Sequence, residues 1–388
     1  MAKITKKKSN RGTANPNIRK GLVGVIADAT AVSKVMPETN SLTYRGYAVQ
    51  DLAAKCSFEE VAYLLLNGNL PNRKQLNTFK KKERSLRRIT SAHTQVIAKF
   101  PKKAHPMDTI RTAVSYLGTS EVAWGNEAAE VDMERAINML AKIPTMIATD
   151  FRYRNSKKRI APRSDLTLTE NFFHMCFGKV PPKAVVKAFD ISLILYAEHS
   201  FNASTFTGRV IASTRSDIYS AIVGGIGALK GPLHGGANEA VMDMMKEIGT
   251  PERADTWIRG AMKDRKMIMG FGHRVYKQGD SRVPTMKSCL EDLTKWSGDT
   301  KWLDIYNILT NIFINEKGIY PNLDFPSGPA YYLMGFPVNL YTPIFVMSRI
   351  TGWSAHYMEQ NANNALIRPL SAYSGKAQRK VSSITERK

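Results

Sequence analysis

The chain has 388 residues, of which 43% are hydrophobic and 23% charged, and its formal net charge is +23. These proportions are close to globular averages, so a wholly disordered chain is excluded, and the length predicts two or three domains or one large domain with an insert. No apolar run approaches the roughly 20 residues that span a bilayer, and the N-terminus lacks the apolar region of a secretory signal. Three widely spaced cysteines indicate free thiols in a reducing compartment. We therefore expect a cytoplasmic protein without a membrane partner.

The positive charge is concentrated in four segments, which are residues 1–20, 71–104, 151–163 and 376–388. A field of this sign attracts nucleic acid, anionic membranes and small polyanions such as nucleotides or di- and tricarboxylates. The simplest interpretation is a charged surface that keeps the chain in solution. No RRM, KH, zinc-finger or helix-turn-helix signature accompanies the charge, so we expect no specific nucleic-acid partner.

The first 50 residues predict a tail and a little β structure. Residues 1–20 have no apolar period and predict a disordered basic tail. Two short strand-like pieces follow, LVGVIAD (22–28) and LTYRGY (42–47), with polar turn residues between them.

Helical signals dominate after that point. Ser57 and Glu60 form a capping box before the apolar run VAYLLL, and the lysine-rich segment 72–88 suits a solvent-facing helix. One further helix is predicted to begin at Pro106, and another to follow Pro182 and reach Tyr196. A third has Val241, Met244, Met245 and Ile248 on one face and ends at a C-cap at Gly249. Three more are predicted at Pro284–Trp296, Trp302–Lys317 and Pro343–Gln360. The pattern predicts a mainly α protein.

Side chains that could take part in catalysis are concentrated in the second half of the chain. They are His199 in YAEHSFNAST, His234 in GPLHGGANE, His273 in GFGHRVYK, Asp324 in YPNLDFPSGP and His356 in GWSAHYMEQ. The glycines beside His234 and His273 remove side chains and allow a ligand to approach the backbone. A single histidine of this kind is more often structural, and we interpret His356 in that way. Two imidazoles and a carboxylate in glycine- and proline-bracketed loops favour a site.

Three chemistries are open to such a set. A zinc site of the His/His/Asp type is one, although no HExxH-like pair is present. A Ser/His/Asp hydrolase is another, but the G-x-S-x-G elbow is missing. The third is proton abstraction beside a carbonyl, which needs a carboxylate base and hydrogen-bond donors directed at the developing enolate oxygen.

Five motifs in order resemble the citrate synthase family, and they are GPLHGGANE, GFGHRVYK, PNLDFPSG, FVMSRITGW and ALIRPLSAY. The similarity extends from about Gly21 to about Gly375 and is that of the short bacterial form. The wording YAEHSFNASTF and NLDFPSGPAYYLMGF resembles the 2-methylcitrate synthase branch, whose members often use both acetyl-CoA and propionyl-CoA. The activity implied is condensation of an acyl-CoA with oxaloacetate and water to give 2-methylcitrate or citrate plus free CoA.

The resemblance also implies an architecture. It is an almost all-α fold with a large helical domain formed by residues 21–230 and 336–388, a smaller helical domain formed by residues 231–335, and the active site in the cleft between them. It further implies a homodimer, with oxaloacetate and acyl-CoA as the small-molecule partners. No metal or redox cofactor is expected, since the coenzyme A thioester is itself a substrate.

Residue roles follow from the same resemblance. His234 would donate a hydrogen bond to the thioester oxygen, Asp324 would take the α-proton, and His273 would polarise and protonate the oxaloacetate carbonyl. The implied oxaloacetate ligands are His199, Arg282, Arg349 and Arg368, the last from the other subunit, and Lys277 is a possible contact to CoA phosphate. Arg349 has support from the residues alone, because it interrupts an apolar helix and a buried arginine needs an anionic partner.

Two alternatives and one departure remain. A strict citrate synthase of the tricarboxylic acid cycle would carry the same motifs, and a basic nucleic-acid-binding protein is a remote alternative from another class. The loop after His273 reads KQGDSRVP, where many family members have a proline between the acid and the arginine, yet the spacing between Asp280 and Arg282 is kept.

Overall fold

The computed structural model describes residues 18–120, 129–273, 275–276 and 279–387. Within these ranges the chain forms sixteen α-helices and one three-stranded antiparallel sheet. The strands are β1 Ser33–Met36, β2 Ser41–Tyr44 and β3 Tyr47–Ala48. The helices are α1 Val49–Lys55, α2 Phe58–Asn67, α3 Arg73–Leu86, α4 Ser91–Ala98, α5 Pro106–Thr119, α6 Ala129–Arg154, α7 Leu168–Phe177, α8 Lys183–Tyr196, α9 Ala203–Ser213, α10 Ile218–Leu229, α11 Ala237–Ile248, α12 Pro251–Lys263, α13 Val283–Ser297, α14 Lys301–Lys317, α15 Asp324–Leu333 and α16 Tyr341–Ala362. The predicted mainly α fold is confirmed, and none of the described helices is long and apolar enough to cross a membrane.

One of the two predicted strand-like pieces is wrong. Leu22 ends a single helical turn and residues 23–28 form a turn and irregular backbone, because Gly21 and Gly24 take positive φ angles of 67° and 74° that a β-strand does not have. The second piece is confirmed, since residues 42–47 supply β2 and the start of β3. Arg45 and Gly46 join these strands in a two-residue hairpin with positive φ at both positions.

The small sheet matters because it supports a later loop. The Tyr44 hydroxyl donates to the Glu198 carbonyl oxygen at 2.9 Å, and the Ser33 hydroxyl donates to the Glu198 carboxylate at 2.9 Å. Residues more than 150 positions apart are therefore fixed against each other.

The sequence signals at helix ends are reproduced. Ser57 accepts from the Glu60 amide while Glu60 accepts from the Ser57 amide, which is the predicted capping box. Pro106 occupies the first turn of α5, and Gly249 ends α11 with φ of 81°. These signals are local, which is why the sequence locates them well.

The basic helix is only partly directed at solvent. Lys74 and Lys81 of α3 are exposed and Lys80 and Lys82 half-buried, but Glu83 and Arg87 are buried and form an ion pair at 2.7 Å. The Arg87 guanidinium also donates to the carbonyl oxygens of Arg163 and Leu166. This arginine therefore joins α3 to the segment before α7 instead of adding to the surface charge.

Helix α16 lies at the centre of the core. Eighteen of its residues are buried, and it packs against α2, α5, α6, α8, α9, α10 and α11. A helix that is apolar on all sides can carry a charge in its interior only at high cost. Arg349 is in the middle of α16 and is 1% exposed, so its positive charge is buried at a high cost in free energy unless an anion compensates it.

The chain divides into two compact units. Residues 30–366 form one, which contains the sheet and all sixteen helices. Residues 18–29 and 367–387 belong to the other, where the only described regular elements are two single helical turns, Lys20–Leu22 and Ile384–Glu386. The predicted tail at residues 1–20 lies outside the described residues up to position 17. The predicted division between 21–230 with 336–388 and 231–335 stays a prediction.

Candidate active site

The segment between α8 and α9 holds the centre of the candidate site. His199 is in this segment and is 8% exposed, and no described group bonds its ring nitrogen Nε2. Its ring centroid is 5.0 Å from that of His273 and 5.7 Å from that of Tyr276. Burial and the nearby Arg282 charge hold the pKa of His199 well below its usual range, so the ring is neutral.

His234 lies in the short connection from α10 to α11. Gly235 is required there, because a Cβ at that position would lie 2.5 Å from Leu229 Cγ. The Ser204 backbone N–H, in the first turn of α9, donates to His234 Nε2 at 3.3 Å. Nε2 is therefore an acceptor, and the ring proton is on Nδ1. Burial lowers the pKa of His234 to about 3, with a smaller contribution from Arg349, and the ring offers one neutral N–H.

His273 has the opposite tautomer. Its Nδ1 accepts from the backbone N–H groups of Val275 at 3.0 Å and Tyr276 at 3.1 Å. The proton is consequently on Nε2. Burial and the Arg282 charge lower the pKa of His273 to about 4, so this ring is also neutral.

The backbone around His273 is tied to the segment that leads to Asp324. Gly272 N–H donates to the Tyr320 carbonyl oxygen at 2.8 Å, and Asn322 N–H donates to the Gly270 carbonyl oxygen at 2.8 Å. The Asn322 side chain donates to the Gly272 carbonyl oxygen at 3.0 Å and accepts from the Asp324 amide at 3.1 Å. His273 and Asp324 therefore have a fixed spacing.

Asp324 is the first residue of α15. Its Oδ1 accepts from the Tyr196 hydroxyl at 2.7 Å, and Tyr196 is the last residue of α8. Burial raises the pKa of Asp324 to about 6, against the Tyr196 hydrogen bond and the Arg282 charge, which lower it. A buried carboxylate of raised pKa is a better base than an exposed one of ordinary pKa.

Arg282 is held by its own carboxylate. Asp280 accepts from Arg282 Nη2 at 2.7 Å and from Nε at 2.9 Å, and its Oδ2 also accepts from the Leu323 amide at 3.2 Å. Arg282 Nη1 donates to the Leu195 carbonyl oxygen at 3.3 Å. The guanidinium thus lies between the end of α8 and the start of α15.

Arg349 has no such carboxylate. Among the residues that the structure describes, none has a carboxylate oxygen within 4.0 Å of it, and its Nη1 has no hydrogen-bond partner. Nε donates to the Tyr196 carbonyl oxygen at 2.7 Å, and the guanidinium carbon lies 4.7 Å from the centroid of the Phe345 ring. Burial lowers the pKa of Arg349 to about 10. A buried cation with a free donor is suited to an anionic ligand.

A family model described as the citrate synthase C-terminal domain matches residues 21–370 of this chain. The chain belongs to the citrate synthase family. The citrate synthase of Mycolicibacterium smegmatis is 58% identical over 364 residues, covering 94% of this chain and 97% of that protein. The 2-methylcitrate synthase of Mycobacterium tuberculosis H37Rv is also 58% identical, covering 94% and 92%.

A solved structure of the family has a similar fold. The citrate synthase of Thermoplasma acidophilum, determined as a ternary complex with carboxymethyl coenzyme A and oxaloacetate, superimposes with a TM-score of 0.91 at 34% identity. The match covers 95% of this chain and 99% of that one. Like other citrate synthases, this protein is an acyltransferase that condenses an acyl-CoA with oxaloacetate.

Six of the eight site residues predicted from the sequence of this citrate synthase family member lie together, namely His199, His234, His273, Arg282, Asp324 and Arg349. Of the other two, Lys277 lies outside the described residues, and Arg368 is exposed on irregular backbone in the unit formed by the two ends.

Sequence reasoning missed the residues that orient His234. The Ser204 hydroxyl oxygen is 2.8 Å from His234 Nε2 and 2.8 Å from Asn202 Oδ1, and it accepts from the Trp353 indole N–H at 3.1 Å. The available signal was the Asn202 N-cap of α9 in FNAST, which places Ser204 in the first turn. The partner Trp353 is 149 residues away, so no local pattern could reveal it.

The zinc alternative gains no support from the structure. In the described part of the chain, no group of three or more His, Cys, Asp or Glu side chains could hold a metal ion. The imidazole nitrogens that face away from the site are instead occupied by backbone N–H donors.

Proposed function

We propose that this enzyme uses Asp324 as the base, His234 as the enolate donor and His273 as the acid, and that it accepts both propionyl-CoA and acetyl-CoA. The observation that carries the proposal is the pairing of a carboxylate of raised pKa with two neutral imidazoles of defined tautomer. The direct test is release of free thiol from either acyl-CoA, with oxaloacetate present and absent.

The first step is proton transfer. A thioester α-carbon is a very weak acid, so Asp324 can take its proton only if the enolate oxygen is stabilised at once. His234 Nδ1–H is the donor we assign to that oxygen, and a preorganised donor of this type is worth roughly 3–4 kcal/mol. A neutral ring serves better than a cation here, because it leaves the charge of Asp324 unpaired and basic.

The second substrate is a dianion. Arg349 Nη1 and His199 Nε2 are buried and lack partners in the described chain, and Arg282 is held close by through Asp280. Charge-assisted hydrogen bonds from guanidinium groups suit carboxylates. We assign the two carboxylates of oxaloacetate to these three side chains and to Arg368 of a second subunit.

Carbon–carbon bond formation and hydrolysis complete the cycle. The enolate carbon attacks the ketone carbon of oxaloacetate, and the ketone oxygen takes the proton from His273 Nε2. Water then adds to the thioester carbonyl of the enzyme-bound product, and CoA leaves as the thiol. The proton that His273 Nε2 gives up is replaced by the one that Asp324 took from the α-carbon. The water supplies the oxygen of the new carboxylate and the proton of the CoA thiol, and its second proton goes to solvent. We propose that no metal or redox cofactor takes part. Unchanged turnover after dialysis against a chelator is the expected result.

Two further assignments rest on the family resemblance alone, and they are the homodimer and the contact of Lys277 with CoA phosphate. The absence of a specific nucleic-acid partner rests on the missing binding signatures and stays a prediction. The cytoplasmic location also stays a prediction.

Both acyl-CoA substrates should be turned over. We expect kcat/KM for propionyl-CoA to be at least comparable to that for acetyl-CoA, because relatives of both names are 58% identical to this chain. A pocket discriminates one methylene by only about 10- to 200-fold, so use of both is physically easy. The measurement is thiol release with each substrate side by side. Failure of propionyl-CoA to react would favour the alternative, a strict citrate synthase.

Activity should decrease in acid through a single group. Asp324 must be ionised to accept a proton, and its pKa is raised to about 6. Turnover should therefore be constant above pH 7 and fall tenfold per unit below pH 6. His234 and His273 are neutral down to about pH 4 and add no second step in this range. A profile centred near pH 4 would contradict the assigned environment of Asp324.

A further inference from the structure

Glu198 is a buried carboxylate that the mechanism above does not use. It precedes His199 and is 0% exposed. Its Oε1 accepts from the Ser33 hydroxyl at 2.9 Å and from His356 Nε2 at 2.9 Å, whereas its Oε2 has no described partner. One oxygen is thus fully bonded and the other is bare.

The surroundings keep Glu198 ionised. Arg209 donates to His356 Nδ1 at 3.2 Å, so the proton of His356 is on Nε2 and points at Glu198. Arg209 is itself paired with Glu359 at 2.7 Å, and Glu359 also accepts from the Ala31 amide. The pKa of Glu198 is lowered by His356, Arg349 and Ser33, against burial, which raises it. His356, interpreted from the sequence as structural, serves as a link in this network.

Glu198 and Arg349 both lie where α16 packs against the α8–α9 segment. A Cβ on Gly352 would lie 2.2 Å from Glu198 Oε2, so this oxygen touches α16 at Gly352. Arg349 is three residues earlier on the same helix, and side chains spaced by three share a face. The Arg349 bond to the Tyr196 carbonyl oxygen holds it on the same segment.

The two arginines of the site are therefore balanced in different ways. Arg282 has Asp280 in direct contact at 2.7 Å, and Arg349 has Glu198 near it but outside ion-pair distance. A nearby negative charge reduces the cost of burying a guanidinium, and the lack of contact leaves Nη1 free for a ligand. The same charge repels a dianion.

We propose that Glu198 is a positioning residue: as the counter-charge of Arg349 it lowers the cost of burying the guanidinium, and it weakens the binding of oxaloacetate and of the anionic product. The inference rests on the proposed function, since it takes oxaloacetate as the ligand of Arg349. Such a site binds oxaloacetate less tightly. In return it releases the product more readily, because the product carries more negative charge than oxaloacetate.

Glu198→Gln is the decisive variant. The amide oxygen can still accept from Ser33 and His356, while the negative charge is removed. We expect the Kd of oxaloacetate, measured by calorimetry without acyl-CoA, to fall by roughly 3- to 30-fold, because a unit charge in a partly dry site acts strongly on a dianion. Citrate should inhibit more strongly by a similar factor, and kcat should fall as product release slows.

Glu198→Asp separates charge from position. It keeps the charge and withdraws the carboxylate by only one methylene, so the Kd of oxaloacetate should stay much closer to the wild-type value than in Glu198→Gln. Glu60→Gln is the matched control, because glutamine also serves in a capping box and Glu60 lies outside the site. It should leave the Kd unchanged. A purely structural role for Glu198 would weaken binding in both Glu198 variants.

Each outcome bears on one claim. A higher or unchanged Kd in a folded Glu198→Gln variant overturns the inference. If that variant does not fold, Glu359→Gln removes a charge from the same network, and its Kd should fall by a smaller factor; an unchanged or higher Kd there also overturns it. Wild-type protein that does not release thiol with either acyl-CoA would instead refute the proposed function and leave any effect on oxaloacetate binding to be judged separately.

Discussion

Asp324→Asn should fold normally and lose the chemical step, with kcat reduced on the order of 10²–10⁴-fold or more. Asparagine has the same shape, and its carbonyl oxygen can accept the Tyr196 hydrogen bond that Asp324 Oδ1 accepts at 2.7 Å. It cannot take a proton from carbon. Thiol release from each acyl-CoA in the presence of oxaloacetate measures the effect.

Two controls separate chemistry from folding. Oxaloacetate should still raise the Tm of Asp324→Asn, because a ligand that binds the folded state stabilises it and the assigned carboxylate ligands are intact. Asp292→Asn makes the same change on an exposed face of α13 and should retain full activity. Turnover near the wild-type rate in Asp324→Asn would remove this residue from the mechanism.

If each active site contains residues from two subunits, two inactive variants should regain activity when they form mixed dimers. We assign Asp324 to its own site and Arg368 to the site of the partner, and a symmetric dimer repeats this arrangement reciprocally. Asp324→Ala and Arg368→Ala homodimers should each be nearly inactive. When they are unfolded, mixed in equal amounts and refolded, one site of a mixed dimer collects both defects and the other collects neither.

The recovered activity has a defined size. Random pairing makes about half of the dimers mixed, each with one intact site of two, so activity should return to roughly a quarter of the wild-type value. Formation of mixed dimers can be checked with a tag on one variant. An inactive mixture that demonstrably contains mixed dimers would mean that Arg368 acts within its own subunit or has no role.

The helices could be predicted because their signals are local. Ser57 with Glu60, Pro106, and the apolar period that ends at Gly249 each act within one or two turns. The strand predicted at 22–28 was wrong because another local signal opposed it. The positive φ angles of Gly21 and Gly24 outweigh the β preference of the valines and the isoleucine. The prediction of a solvent-facing helix at 72–88 was incomplete, because the burial of Arg87 depends on carbonyl groups 76 and 79 residues away.

The site was accessible for a different reason. His234, His273 and Asp324 lie in motifs whose glycines and prolines are visible in one sequence, and the family resemblance supplied their roles. Ser204, Trp353 and Glu198 were not accessible, because what distinguishes them is contact across 30 to 158 residues. A buried glutamate in a polar motif has no sequence signature of burial.

The tautomer of His273 is set by the main chain and not by a neighbouring side chain. Its Nδ1 is bonded by the amides of Val275 and Tyr276, which every residue except proline provides at those two positions. Replacement of one side chain by another in the loop leaves these two donors unchanged as long as the backbone keeps its path. Proline at position 275 or 276 would remove one of the two donors, and His273 Nδ1 would then keep a single backbone partner.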